Sequence, residues 1–266
     1  MNITIKLLFL LFFISPLWGV VEAASDLEKE KRWSEQIVDS LLVGESVELK
    51  AGDTPFLGIY AEASEGPTGR AAILAHGIGA HPNWPEVINP LRSNLPDHGW
   101  STLSIQMPIL ANDAPIADYA PLFDEVAPRI DAAVAYLRQQ GDDSIVLVGH
   151  SLGASMGAAY LAQDKRKDIK GFVAIGMSII DLDDRMNSAL ALQKIDIPVL
   201  DLFGSRDLDN VLATVNERAK ASRKAENTAY QQIEIEGADH FFVGMEDTLV
   251  RRVYGWLKTH FNTGTR

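Results

Sequence analysis

The chain has 266 residues, a formal net charge of −12 and no cysteine. Disulfide stapling, thiolate metal sites, cysteine nucleophiles and lipid attachment through cysteine are therefore excluded. An acidic surface repels phosphate backbones and anionic lipid, so nucleic acid is not expected as a partner.

Residues 1–6 carry one positive side chain, Lys6, and residues 7–21 are nearly continuously apolar, broken only by Ser15, Pro16 and Gly19. Val21-Glu22-Ala23 and Glu22-Ala23-Ala24 each put a small residue at a cut position. That is the layout of a secretory signal peptide. The run is short for a bilayer, which needs about 20 apolar residues, and Pro16 interrupts it. Residues 1–24 are therefore expected to be removed. The product is an exported chain, periplasmic or secreted, with no stable membrane insertion; an uncleaved inner-membrane anchor is the alternative. Removal takes away Lys6 and Glu22 and leaves the net charge unchanged. Residues 25–266 suffice for a single domain with a substantial core.

In chain order, residues 26–43 are charged and predict a helical extension packed on the outside. Residues 46–50 and 56–61 predict two strands, antiparallel, joined by a Gly-Asp-Thr-Pro turn. A short apolar strand over 71–75 runs into His76-Gly77-Ile78-Gly79. Residues 85–96 read as helical or irregular, and 102–107 as the next strand. Val126, Ile130, Ala133, Val134 and Leu137 share one face of a helix over 122–140, and Gly141 ends it. Strands follow at 144–148, 170–175, 198–203 and 230–235, with helices at 152–163, 211–222 and 246–261. Continuous apolar strands separated by amphipathic helices predict a mostly parallel, doubly wound α/β sheet buried on both faces.

Gly149-His150-Ser151-Leu152-Gly153 sits where a buried strand ends and a helix rich in small residues begins. Gly-x-Ser-x-Gly at such a junction is a nucleophile elbow. The serine occupies a sharp, strained turn, so its neighbours two residues away crowd the backbone and must lack bulky side chains. An overlapping match, Gly153-Ala154-Ser155-Met156-Gly157, lies inside the helix, where Ser155 is expected to serve packing. An acyl-transfer site must also stabilise an oxyanion. The Leu152 N–H is one expected donor. The Ile78 N–H is the other, on the loop whose Gly77 and Gly79 give it freedom to turn. That loop lacks the third glycine of a dinucleotide fingerprint and any following Gly-Lys-Ser/Thr.

Only His240 and His260 follow Ser151 in the chain. His260 falls near the end of the last helix, whereas His240 leaves the last strand within Gly237-Ala238-Asp239-His240-Phe241-Phe242, where catalytic groups collect in open α/β sheets. The two phenylalanines are expected to anchor this loop in the core. The acid should leave the preceding strand, in Gly204-Ser205-Arg206-Asp207. Asp207 is preferred; Asp209 competes, Asp201 is mid-strand, and the other role open to Asp207 is the N-cap of the next helix, which Asp209 could fill instead.

These motifs, with His76-Gly77 and Asp239-His240-Phe241, resemble the α/β-hydrolase superfamily over nearly the whole mature chain. The segment from His76 to Pro85 looks like an exported bacterial branch catalogued as a domain of unknown function. The resemblance implies the α/β-hydrolase fold and a hydrolytic reaction. It carries catalytic roles onto Ser151, Asp207 and His240 and oxyanion roles onto Ile78 and Leu152, and it implies no substrate. No metal or organic cofactor is required: His76 and His81 lack an obvious third ligand. His81 and Trp84 are candidates for an acyl-pocket wall, with surface turn and core anchor as their other roles. Only residues 176–197 are available for a cap, so little or no lid is expected. The 108–121 loop, apolar at Ile109, Leu110 and Ile116, is a second candidate wall. The expected function is a serine carboxylic-ester hydrolase for a short or medium acyl ester, a small-molecule substrate. An idle binding or scaffold protein of the cell envelope is one alternative, and an amidase, peptidase or thioesterase with the same triad is another.

Overall fold

A computed structural model describes residues 25–163 and 168–261. The expected signal peptide, residues 1–24, lies outside the described residues. The strands are β1 Glu45–Ala51, β2 Thr54–Ala61, β3 Arg70–Ala75, β4 Ser101–Ile105, β5 Ser144–His150, β6 Ile169–Ile175, β7 Val199–Arg206 and β8 Tyr230–Asp239. The helices are α1 Leu27–Val38, α2 Ile88–Asn94, α3 Phe123–Gln139, α4 Leu152–Leu161, α5 Ser188–Leu192, α6 Asp209–Ala213, α7 Val215–Lys224 and α8 Glu246–Phe261. One sheet runs in the order β1-β2-β4-β3-β5-β6-β7-β8. β1 and β2 form an antiparallel hairpin and β2 is antiparallel to β4, while every other neighbouring pair is parallel.

Alternation along each strand sorts the core onto two faces. On β3, Ala71, Ile73 and Ala75 join a cluster with Ile130 and Leu137 of α3 and Met156 of α4. Ala72 and Leu74 face the other way, toward Leu91 of α2 and Leu249 and Trp256 of α8. β5 repeats the division, with Ile145 and Leu147 on the first face and Val146 and Val148 on the second. Each side chain of this kind contributes about 1.5–3 kcal/mol by burial, and both faces need apolar residues. Hence these strands read as unbroken apolar runs rather than alternating ones.

The helical extension expected over 26–43 is helical only over Leu27–Val38. Asp26 starts it by accepting the Lys29 N–H at 2.9 Å, and Ile37 and Trp33 pack on Leu57 and Ile59 of β2. The single helix expected over 211–222 breaks at Thr214 into α6 and α7. Arg218 of α7 accounts for the geometry. Fully buried, it reaches back to the Val211 carbonyl and the Thr214 hydroxyl and clasps Asp201 of β7 at 2.7 and 3.2 Å. Tyr230 and Gln232 of β8 complete the Asp201 carboxylate at 2.6 and 2.9 Å. Between β6 and β7 the chain adds only a 3₁₀ turn, Asp184–Met186, and α5, so the cap is small. No helix among the described residues is long and apolar enough to cross a membrane.

Two stability predictions follow from these buried carboxylates. Asp201→Ala strands a buried guanidinium and should cost about 3–5 kcal/mol in urea unfolding at pH 7; a cost below about 1 kcal/mol would deny the pair its structural role. Asp142, 2% exposed, is held in the opposite way. Burial pushes its carboxyl up to about 6, Glu62 and Asp143 push in the same direction, and the Ser101 hydroxyl opposes them. An unfolded Asp titrates near about 3.9, so the native chain binds this proton more tightly. Its contribution is complete below the unfolded value and is lost as pH rises through about 6. Asp142→Asn should therefore gain on the wild type by about 2–3 kcal/mol between pH 4 and pH 7.5. A pH series of urea unfolding checks this, and a stability difference independent of pH would refute it.

Candidate active site

Ser151 joins β5 to α4 with φ 54° and ψ −123°. A non-glycine residue in such a conformation costs about 1–3 kcal/mol and persists only where its surroundings over-determine it. Here the Ser151 N–H donates to the Ile175 carbonyl of β6 at 2.8 Å, and the Ser151 carbonyl accepts the N–H groups of Ala154 and Ser155. The flanking glycines permit close approach. A Cβ at Gly149 would lie 2.7 Å from the Ala154 nitrogen, one at Gly153 would strike the Ala75 and His76 carbonyls, and one at Gly77 would lie 2.9 Å from the Ser151 Cβ. Ser155, in the overlapping motif, is buried with its hydroxyl on the Ser178 carbonyl.

The residues expected to be acid and base arrive from adjacent strands that end together. β7 and β8 run longer than their apolar patterns indicated, and a register shift after Gly204 brings Arg206 opposite Asp239. The next residues are Asp207 and His240. Gly204 makes the approach possible, since a side chain there would strike the Ala238 carbonyl. His240 Nδ1 lies 2.6 Å from Asp207 Oδ1, and His240 Nε2 lies 3.0 Å from Ser151 Oγ. Asp207 and His240 are each 5% exposed, so their contact is shielded from water. Burial alone would raise the Asp207 carboxyl. The hydrogen bond and charge of His240, with the Leu208 and Gly204 N–H groups at 2.8 and 3.2 Å, hold it below the usual carboxylate range instead. The carboxylate thus fixes the proton on Nδ1 and leaves Nε2 to accept from Ser151. Asp209 is exposed at the start of α6, and neither it nor Asp207 caps that helix: the N-cap position is Leu208, with no side-chain bond. His260 sits on the Trp256 carbonyl in α8.

The loop after β3 is braced by His76, whose part the sequence did not reveal. Its Nδ1 bonds the Gly77 carbonyl at 2.9 Å, and its Nε2 accepts the Met107 N–H at 3.0 Å beside the Gln106 amide at 3.0 Å. Burial pushes this imidazole down to about 3, so it is a neutral strut with both nitrogens engaged. Among the described residues, neither the Ile78 nor the Leu152 N–H is given to another acceptor. Leu152 follows Ser151 directly in the chain, and Ile78 follows Gly77, whose backbone approaches the Ser151 Cβ.

Two further positioning residues went unread. His150, next to Ser151, donates through Nε2 to the His240 carbonyl at 3.0 Å and ties the elbow to the loop after β8. Burial, followed by the field of His240, pushes the His150 imidazole down to about 4. Gly176, just after β6 with φ +59°, leaves room for the base: a Cβ there would lie 2.9 Å from both Cε1 and Nδ1 of His240. His in Gly-x-Ser and a glycine immediately after β6 were the available signals. The expectation that both phenylalanines anchor the base loop holds for only one. Phe242 is buried, but φ 56° reverses the chain there and leaves Phe241 exposed against the His240 and His150 rings. His81 is clasped edge-on between Trp33 of α1 and Trp84, each 5.3 Å away, and Trp84 packs against the second core. On the 108–121 loop, Ile109 is buried and its carbonyl holds the Asp26 N–H, while Ile116 is exposed.

The sheet order and the strand–Ser151–helix elbow are those of the α/β-hydrolase fold. More narrowly, the chain belongs to the family described as Protein of unknown function (DUF3530), whose model matches residues 21–122 and 120–259. Solved structures with the same fold include a Pyrococcus furiosus esterase, Pf2001, at 16% identity and TM-score 0.66, covering 86% of this chain and 96% of that one. A dienelactone hydrolase from Anabaena variabilis matches at 18% identity and TM-score 0.66, over 82% and 97%. Est1E from Butyrivibrio proteoclasticus matches at 16% identity and TM-score 0.63, over 82% and 98%. At these identities the likeness is one of fold. No curated protein matches the chain.

Gly176→Ala tests the packing around the base. The added methyl should push the imidazole off line and slow labelling of Ser151 by a fluorophosphonate about 100-fold, with the far-UV circular dichroism unchanged. Labelling at the wild-type rate would show that His240 tolerates displacement.

Proposed function

We propose that the protein is a serine hydrolase that cleaves a carboxylic ester through an acyl-enzyme. The observation that carries this reading is the continuous series from Ser151 Oγ through His240 to Asp207, at 3.0 and 2.6 Å. Ser151 Oγ bonds to the substrate carbonyl carbon as its proton passes to His240 Nε2. The carbonyl oxygen becomes an oxyanion facing the Ile78 and Leu152 N–H groups, each worth about 3–4 kcal/mol to such a charge. As the carbon–oxygen bond to the alcohol breaks, His240 returns the proton to the leaving oxygen. Water then attacks the acyl-Ser151, giving its proton to His240, and Ser151 leaves with that proton as the acid departs.

The surroundings favour a small apolar acyl group. Ile78, Leu208, Phe241 and Val243 are exposed and stand beside the oxyanion loop, the acid and the base in the chain. With only a short excursion between β6 and β7, these exposed apolar side chains would give an open site an apolar rim. One structural neighbour is named an esterase and another a dienelactone hydrolase, which accords with an oxygen ester rather than an amide. Residues 1–24 would direct the chain out of the cytoplasm, and this site would then act in the periplasm or outside the cell.

A fluorophosphonate should label the purified protein on Ser151 and leave Ser151→Ala unlabelled. Absence of labelling in the wild type would favour the idle-scaffold reading. Asp207→Asn should lower ester turnover by about 10³–10⁴-fold, and Asp209→Asn by less than about twofold; the reverse order would reassign the acid. Across p-nitrophenyl esters of increasing acyl length, kcat/KM should peak at a short or medium chain. A rise that continues into long chains would contradict the substrate class.

A further inference from the structure

A second cluster of buried charge lies where α1 meets α3, and among the described residues it is short of one cation. Arg129, 1% exposed, donates to both Glu30 oxygens at 2.8 and 3.1 Å and lies 3.4 Å from Glu125 Oε2. Two carboxylates thus share one guanidinium. Burial, with the nearby Glu125 charge, leaves the Glu30 carboxyl raised in spite of Arg129. Lys29 is engaged elsewhere, on the Leu110 carbonyl and Asn112. The Asp201–Arg218 pair has no such deficit, with one carboxylate facing one guanidinium. What Glu125 holds instead is the start of the described chain. Its Oε1 accepts from the Ser25 nitrogen at 3.0 Å and its Oε2 from the Ser25 hydroxyl at 2.7 Å, and Ser25 is buried.

We propose that the cluster is a receptor for the processed amino terminus: removal of the leader at the Ala23-Ala24-Ser25 junction supplies an α-ammonium that pairs with Glu125. The step is a hydrolysis by a leader peptidase. Water adds across the peptide bond, the residue before the cut keeps the carboxylate and the residue after it becomes the ammonium. A cut after Ala24 puts the charge on the Ser25 nitrogen itself. A cut after Ala23 puts it one residue earlier, about 3.8 Å of chain away. With the cut after Ala24 two anions face two cations, and the neutral Ser25 amide contact with Glu125 becomes a charge-assisted one, roughly twice as strong. Arg129 also donates to the Gln106 carbonyl at 3.0 Å, so the docked terminus is tied to the core and its loss registers in global unfolding. This rests on the export reading of residues 1–24 and not on the hydrolase reading.

The exported protein should have Ser25 or Ala24 as its first residue by intact mass and amino-terminal sequencing; any other start overturns the proposal. Extending that terminus by four Gly/Ser residues moves the ammonium away and should lower Tm by about 2–4 °C. The same extension should leave Tm unchanged in a Glu125→Gln background. No shift in the wild type, or an equal shift in both backgrounds, overturns the proposal. A second readout needs no variant. Pairing with Glu125 holds the α-amine above its ordinary range of about 7.7–8.0, measured by the pH dependence of its acylation; a value within or below that range also overturns it.

Discussion

The site depends on three backbone segments approaching more closely than any side chain would permit. The end of β3, the Ser151 turn and the first turn of α4 meet where Gly77, Gly149 and Gly153 present bare backbone. This contact holds Ser151 at φ 54° against a strain of about 1–3 kcal/mol. His76 and His150 extend the bracing outward, one to the loop after β3 and the other to the carbonyl of the base. A well-packed interior keeps such an arrangement rigid, since it has no spare volume into which a strained turn could relax.

In a chain of net charge −12, the environment of each buried carboxylate decides what it can do. Asp201 is met by Arg218, Tyr230 and Gln232, so its charge is consumed in holding α7 to the sheet. Asp207 has two backbone N–H groups and one imidazole, so its charge is directed at a group that can gain and lose a proton. Asp142 has a single hydroxyl and titrates late. The pairing of Asp207 with His240 follows from this difference in partners, because the side chains themselves are identical.

Much of the fold was legible because burial on both faces leaves a local record. The β5 run from Ile145 to Val148 and the period of α3 follow from which side chains must avoid water. The elbow was legible for a related reason: steric crowding at the serine demands glycine at two fixed spacings. The limits of α1, the break at Thr214 and the lengths of β7 and β8 were not. Each depends on a partner remote in the chain, such as Asp201 for Arg218 or Asp239 for Arg206. Phe241 and Phe242 illustrate the same limit, since one positive φ sends two identical neighbours to opposite environments.

By itself, the amino-acid sequence determined the α/β class, the order of strands and helices and the serine turn, because hydrophobic periodicity and backbone sterics act over a few residues. Only the tertiary structure decided which carboxylate meets His240, which histidines brace the loops and which hydrophobic residues stay exposed around them. Those outcomes depend on register between β7 and β8 and on contacts across 30 to 100 positions, as from Asp207 to His240 or from Ser25 to Glu125. Hydrogen bonds of 3 Å or less are too sensitive to such register for local pattern to specify them.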